Sequence, residues 1–72
     1  MVEFGKRLKD LRKSKRLKQS EMADFLEITS RHYQSMEYGK INIPALSLIK
    51  LCKYFQVSAD YLLGLSDISE SR

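Results

Sequence analysis

The sequence predicts an all-α domain of five helices. Three observations support this: apolar residues recur at spacings of three and four, helix start and stop residues punctuate the chain at short intervals, and no segment shows the alternation of a half-buried strand. A chain of 72 residues has room for one domain. A domain that small buries only about 60% of the surface its unfolded chain exposes, so its stability margin is thin.

The first helix is expected from Val2 to about Lys15, with Phe4, Leu8 and Leu11 on one face and cations over the rest. Gly5 costs about 1 kcal/mol there relative to alanine, and marks either a close helix approach or tolerated fraying near the start. The second helix runs from about Gln19 to Leu26 and turns Met22, Ala23 and Leu26 inward. Phe25 falls beside that face, at the core edge or on a contact surface. Glu27-Ile28-Thr29 breaks the pattern, and Thr29 is suited to cap a third helix. That helix turns Tyr33 and Met36 inward and stops at Gly39. After the linker Ile41-Asn42-Ile43, Pro44 is placed for the first turn of a fourth helix, where its missing N–H is no loss. Leu48, Ile49, Leu51, Cys52 and Phe55 make this helix the most apolar and the expected centre of the domain. Gln56-Val57 turns the chain, Ser58 caps a short fifth helix holding Tyr61, Leu62 and Leu63, and Gly64 ends it. The domain is expected to occupy 1–66, with 67–72 a flexible C-terminal tail.

Composition narrows the function. The net charge is +4, and eight of the thirteen cations lie in residues 1–18 (Lys6, Arg7, Lys9, Arg12, Lys13, Lys15, Arg16 and Lys18), opposed only by Glu3 and Asp10. After Lys53 the chain carries Asp60, Asp67 and Glu70 against Arg72. A basic half opposite a mildly acidic end fits a polyanionic partner on one side, or simply a solvated helix face. Cys52, the lone cysteine, lies in an apolar pattern as a small hydrophobe. With the lone histidine, His32, it cannot build a four-ligand zinc site, so no metal and no cofactor are expected. No glycine-rich phosphate loop appears, nor a second catalytic group to pair with His32 or Cys52, which argues against an enzyme. No apolar run approaches the roughly 20 residues of a membrane span, and the N-terminus lacks a signal-peptide core, so a cytoplasmic protein is expected. As a membrane-surface helix, the first segment has too narrow an apolar stripe.

Helices two and three, each of about eight residues and joined by three turn residues, have helix-turn-helix geometry. A short helix with polar side chains near its N-terminus fits the DNA major groove and reaches base edges. The run "FGKRLKDLRKSKRLKQSEMADFLEITSRHYQSMEYGK", followed by "LIKLCKYFQVSADYLLG", resembles the phage-repressor and Cro type of helix-turn-helix domain, the XRE family. The resemblance spans roughly Phe4 to Leu65. It rests on Arg12, Leu17-x-Gln19, Ala23, Leu26, Glu37-x-Gly39 and the "VSADYLLG" ending, taken in order and spacing.

The resemblance implies a five-helix repressor-like domain with the second and third helices as the motif, and it implies roles. Gln19 matches the glutamine that binds a phosphate at the start of the second helix. Ser30, Arg31 and Ser35 match base-touching positions, with Gln34 a fourth; Tyr38 and Lys40 match backbone-contacting positions. Arg12 and Glu37 match a structural ion pair. The residue chemistry agrees: Arg31 can offer two parallel N–H donors to guanine O6 and N7, and Gln34 can pair with adenine or remain a solvated side chain. His32 suits a rim or phosphate contact. Lys18 stands where the family has a Ser or Thr cap, either aimed at the same phosphate as Gln19 or merely tolerated against the helix dipole. Glu27 and Gln56 stand where small turn residues are common. One copy makes too few base contacts for useful specificity, so a homodimer on a palindromic double-stranded operator is expected, as a transcriptional regulator and repressor. Tyr61, Leu62 and Leu65 offer the dimer surface, unless they merely close the core. The alternative is an antitoxin-like module of the same fold that neutralises a protein partner through Phe25 and the last helix.

Overall fold

The computed structural model describes residues 1–69; residues 70–72, part of the expected tail, lie outside the described residues. Five helices follow in order: α1 (Val2–Ser14), α2 (Gln19–Leu26), α3 (Ser30–Glu37), α4 (Ala45–Phe55) and α5 (Ala59–Leu62). Their fully buried members are the residues whose spacing placed them inward: Phe4 and Leu8 from α1, Met22, Ala23 and Leu26 from α2, Tyr33 and Met36 from α3. Leu51, Phe55, Val57 and Leu62 complete the core.

All five helices stop in the same way. A residue with positive φ follows the helix (Arg16, Glu27, Gly39, Gln56 and Gly64), and the amide after it reaches back to a carbonyl five residues earlier. These closures are Leu17 to Arg12 (3.1 Å), Ile28 to Ala23 (3.0 Å), Lys40 to Ser35 (3.0 Å), Val57 to Cys52 (3.1 Å) and Leu65 to Asp60 (2.7 Å). The left-handed turn thus satisfies carbonyls that the helix end would orphan. Glu27, at φ 58 and ψ 42, holds this conformation without being glycine, and its turn leads from α2 into α3. A left-handed side-chain-bearing residue costs on the order of 1 kcal/mol, offset by the closing hydrogen bond.

Helix starts are less uniform. Thr29 Oγ1 accepts from the His32 amide at 3.0 Å, and Ser58 Oγ accepts from the Tyr61 amide at 3.0 Å. Lys18 has no acceptor to offer α2; instead Glu21 reaches back to the Lys18 amide at 2.8 Å. Pro44 precedes α4 rather than opening it: at ψ 146 it is extended, and its carbonyl accepts the first helical bond, from Leu48 at 3.0 Å.

One expectation changes. α4 is not central; its Leu51 and Phe55 are buried, Leu48 and Cys52 half-buried, but Leu46 and Ile49 are 74% and 49% exposed. High apolar content does not make a single face, and Leu46 and Ile49 project from the side opposite Leu51. The centre is instead α3, which packs against both α2 and α1. Gly5 shows why: a Cβ there would lie 2.6 Å from the Met36 carbonyl oxygen and closer still to that of Glu37. Gly5 is therefore a close-approach glycine rather than a frayed one.

Arg7 Nη1 donates to the carbonyls of Tyr61 (2.8 Å) and Ser66 (2.6 Å), its Nη2 pairs with Asp67 (2.9 Å), and its Nε pairs with Glu3 (2.9 Å). The guanidinium also lies 4.4 Å from the centre of the Tyr61 ring. Beyond it, the Ser58 amide donates to the Ser69 carbonyl at 3.1 Å. Residues 66–69 thus run against α1 and α5.

Gly5→Ala is expected to lower unfolding free energy by about 1–3 kcal/mol in urea titration, because overpacking against backbone exceeds the propensity gain. Gln56→Gly is expected to raise it by up to about 1 kcal/mol, since the Gln56 side chain is exposed and the left-handed strain disappears.

Candidate nucleic-acid interface

On α3 and its cap residue Tyr38, at 100° per residue, Ser30, Gln34, Tyr38, Arg31 and Ser35 fall within about 140° of arc, Met36 and Tyr33 fall on the other side, and Glu37 lies just past the Ser30 edge. The burial follows this division. Ser30, Arg31 and Tyr38 are exposed, Gln34 and Ser35 half-buried, and Tyr33, Met36 and Glu37 buried. His32 is exposed but lies off this stripe, at its edge. The stripe is polar, and the flanking Lys18 and Lys40 are exposed cations.

What holds the stripe outward is a buried polar hub at the end of α3. The Glu37 side chain is 1% exposed, and its Oε2 accepts from Arg12 Nε at 2.6 Å and from the Tyr33 hydroxyl. Its Oε1 accepts from Arg12 Nη2 and from Gln19 Nε2, each at 3.2 Å. Arg12 Nη1 donates to the Leu17 carbonyl at 2.8 Å, fixing the turn that leads into α2. Every buried side-chain nitrogen and oxygen among the described residues has a partner, which a buried charge requires. Burial by itself would raise the Glu37 carboxyl, but hydrogen bonds from Arg12, Tyr33 and Gln19 outweigh it and hold the group below the ordinary carboxylate range. The hydrogen bond to Glu37 raises Arg12. Burial, and then the bond to Glu37, push the Tyr33 phenol well above its usual value.

Other candidate residues separate. Leu62 is fully buried against the core and cannot supply a dimer surface; its spacing in α5 puts it inward. Tyr61 is half-buried beneath Arg7, while Leu65 is 75% exposed. Arg7, counted by composition with the basic face, is spent inside the fold. Three of its partners lie 54 to 60 positions along the chain, which local spacing cannot reveal. Lys15 is also engaged, its Nζ 4.8 Å from the Tyr54 ring, which packs on Phe25 at 4.9 Å. Burial raises the Cys52 thiol, as suits a packing residue.

The family model described as "Helix-turn-helix" matches residues 8–62. The chain is 47% identical over 60 residues to the SPbeta prophage-derived uncharacterized HTH-type transcriptional regulator YonR of Bacillus subtilis, covering 83% of this chain and 56% of that protein. It is 33% identical over 69 residues to the HTH-type transcriptional regulator ImmR of the same organism, covering 96% and 54%. The chain therefore spans about half the length of the curated relatives it matches. Among solved structures, the restriction-modification controller protein C.AhdI from Aeromonas hydrophila superposes with TM-score 0.72 at 28% identity, covering 85% of this chain and 92% of that one. The N-terminal DNA binding domain of SinR from Bacillus subtilis gives 0.71 at 28% identity, covering 88% and 93%. These relatives give no support to the antitoxin reading.

Because the native Glu37 carboxyl titrates below its unfolded value, its stabilisation is complete above about pH 4.3, the ordinary glutamate value, and is lost as pH falls through the lowered native one. Urea midpoints across pH 2–7 should show Glu37→Gln about 3 kcal/mol less stable at neutral pH, with a shallower acid limb than the native chain.

Proposed function

The chain belongs to the helix-turn-helix family, of XRE type, and from that membership we propose that it binds double-stranded DNA in a sequence-specific manner, as a homodimer on a palindromic operator, and represses transcription. One observation carries the reading: the exposed polar stripe of α3 sits on a helix whose opposite face is locked by buried contacts. A helix held so rigidly can present side chains to the major groove at little ordering cost.

In this reading Arg31 reads a guanine through two parallel donors, Gln34 an adenine, and Ser30 and Ser35 make less discriminating contacts. Lys18, Gln19, Tyr38 and Lys40 grip backbone phosphates, with His32 at the rim. Gln19 suits this because the amides of Glu21 and Met22 both reach the Lys18 carbonyl, leaving those of Gln19 and Ser20 at the helix mouth. Two copies reading half-sites about 34 Å apart supply the specificity one copy lacks. Leu65, just beyond α5, with the edge of Tyr61, is the dimer surface that remains once Leu62 is assigned to the core. The names of the matched relatives support regulation of transcription, and the SinR domain, itself a DNA binding domain, supports DNA as the ligand.

Selection of bound duplexes from a random pool should recover a two-fold symmetric site, and affinity should fall steeply with salt, by a slope near 0.9 per phosphate neutralised. Arg31→Ala should cost about 1–3 kcal/mol and relax preference at one base pair per half-site. A protein indifferent to every duplex at low ionic strength overturns the proposal.

A further inference from the structure

Glu37 touches the start of α2 as well as α1, and that second contact reaches the candidate phosphate grip. A carboxamide nitrogen carries two hydrogens. Gln19 Nε2 commits one to Glu37 Oε1 at 3.2 Å; the other has no partner among the described residues. The carboxylate on which it rests is almost fully enclosed and is neutralised by Arg12, so it holds the amide without presenting a negative charge to a phosphate. Arg12 meanwhile pins the Leu17 carbonyl, two residues before Gln19. The side chain and the backbone at this helix start are thus both held from the end of α3.

We propose that Glu37 is a positioning residue for DNA binding: it holds the Gln19 carboxamide by one Nε2 hydrogen so that the other meets a backbone phosphate. This rests on the DNA-binding reading above. A glutamine free to rotate would lose side-chain entropy on each binding event, and the contact to Glu37 removes that loss beforehand. The phosphate contact then depends on a residue that touches no DNA.

The test is the cost of Gln19→Ala in three backgrounds, read as affinity for a mixed-sequence duplex of about two helical turns at low salt. In the native background the loss should be about tenfold, the scale of a hydrogen bond to a charged group. In Tyr33→Phe, which weakens the hub but keeps the Gln19 contact, the loss should again be about tenfold. In Glu37→Ala, it should shrink below about twofold, because Gln19 is no longer held. An unchanged tenfold loss in Glu37→Ala overturns the inference while leaving DNA binding intact. Absence of duplex binding by the native protein overturns the DNA reading and this inference with it. Should Glu37→Ala fail to fold, the side-chain amide protons of Gln19 in the native protein decide by NMR. One should exchange slowly in the free protein, and the other should shift when duplex is added. Two protons that both exchange like a free carboxamide overturn the inference.

Discussion

The architecture depends on one buried charge being fully answered. Glu37 sits at the last turn of α3, where a carboxylate opposes the helix dipole and where burial penalises it again. Arg12 from α1, Tyr33 from the preceding turn and Gln19 from α2 supply four hydrogen bonds between them. Those donors come from three different helices, so satisfying the carboxylate fixes how the helices sit together. An apolar residue of similar size would fill the space with less electrostatic risk, but it would not dictate which groups must meet. Close contact between α1 and α3 is the other half of the constraint, since Arg12 reaches Glu37 across an approach that only glycine at position 5 permits.

The helices themselves were largely legible in the chain, because the signals that define them are local. Phe4 and Leu8, Met22 with Ala23 and Leu26, and Tyr33 with Met36 announce their buried faces by spacing, and Thr29 and Ser58 announce their caps by chemistry. Helix ends were half legible. Gly39 and Gly64 advertise a left-handed residue, whereas Arg16, Glu27 and Gln56 adopt the same conformation with side chains that carry no such signal. What places them there is the closing hydrogen bond and the packing of the residue that follows, and both are tertiary. α4 misled for a related reason: its apolar count is high, but Leu46 and Ile49 point away from Leu51, and composition does not register direction.

The candidate interface divides along the same line. The polar stripe of α3 is a property of one helix and follows from its sequence. Arg12 and Glu37 pair by resemblance to a family, not by anything in their spacing, and the resemblance marks the third partner, Gln19, only as a phosphate ligand. Spacing leaves Leu62 open between a dimer surface and the core, because α5 is too short for its pattern to separate inside from outside. Arg7 was counted among surface cations because its partners are distant in sequence.

Arg7 also ties the end of the domain to its beginning. A helix of four residues has no stability of its own, since nucleation alone outweighs what so few hydrogen bonds return. α5 is held because Arg7 grips the Tyr61 carbonyl, the Ser66 carbonyl and Asp67 together, while Ser69 closes back on Ser58. Fraying of α5 and of the segment behind it would cost the bonds that α1 makes through Arg7, which favours the two ends opening together over the tail loosening alone.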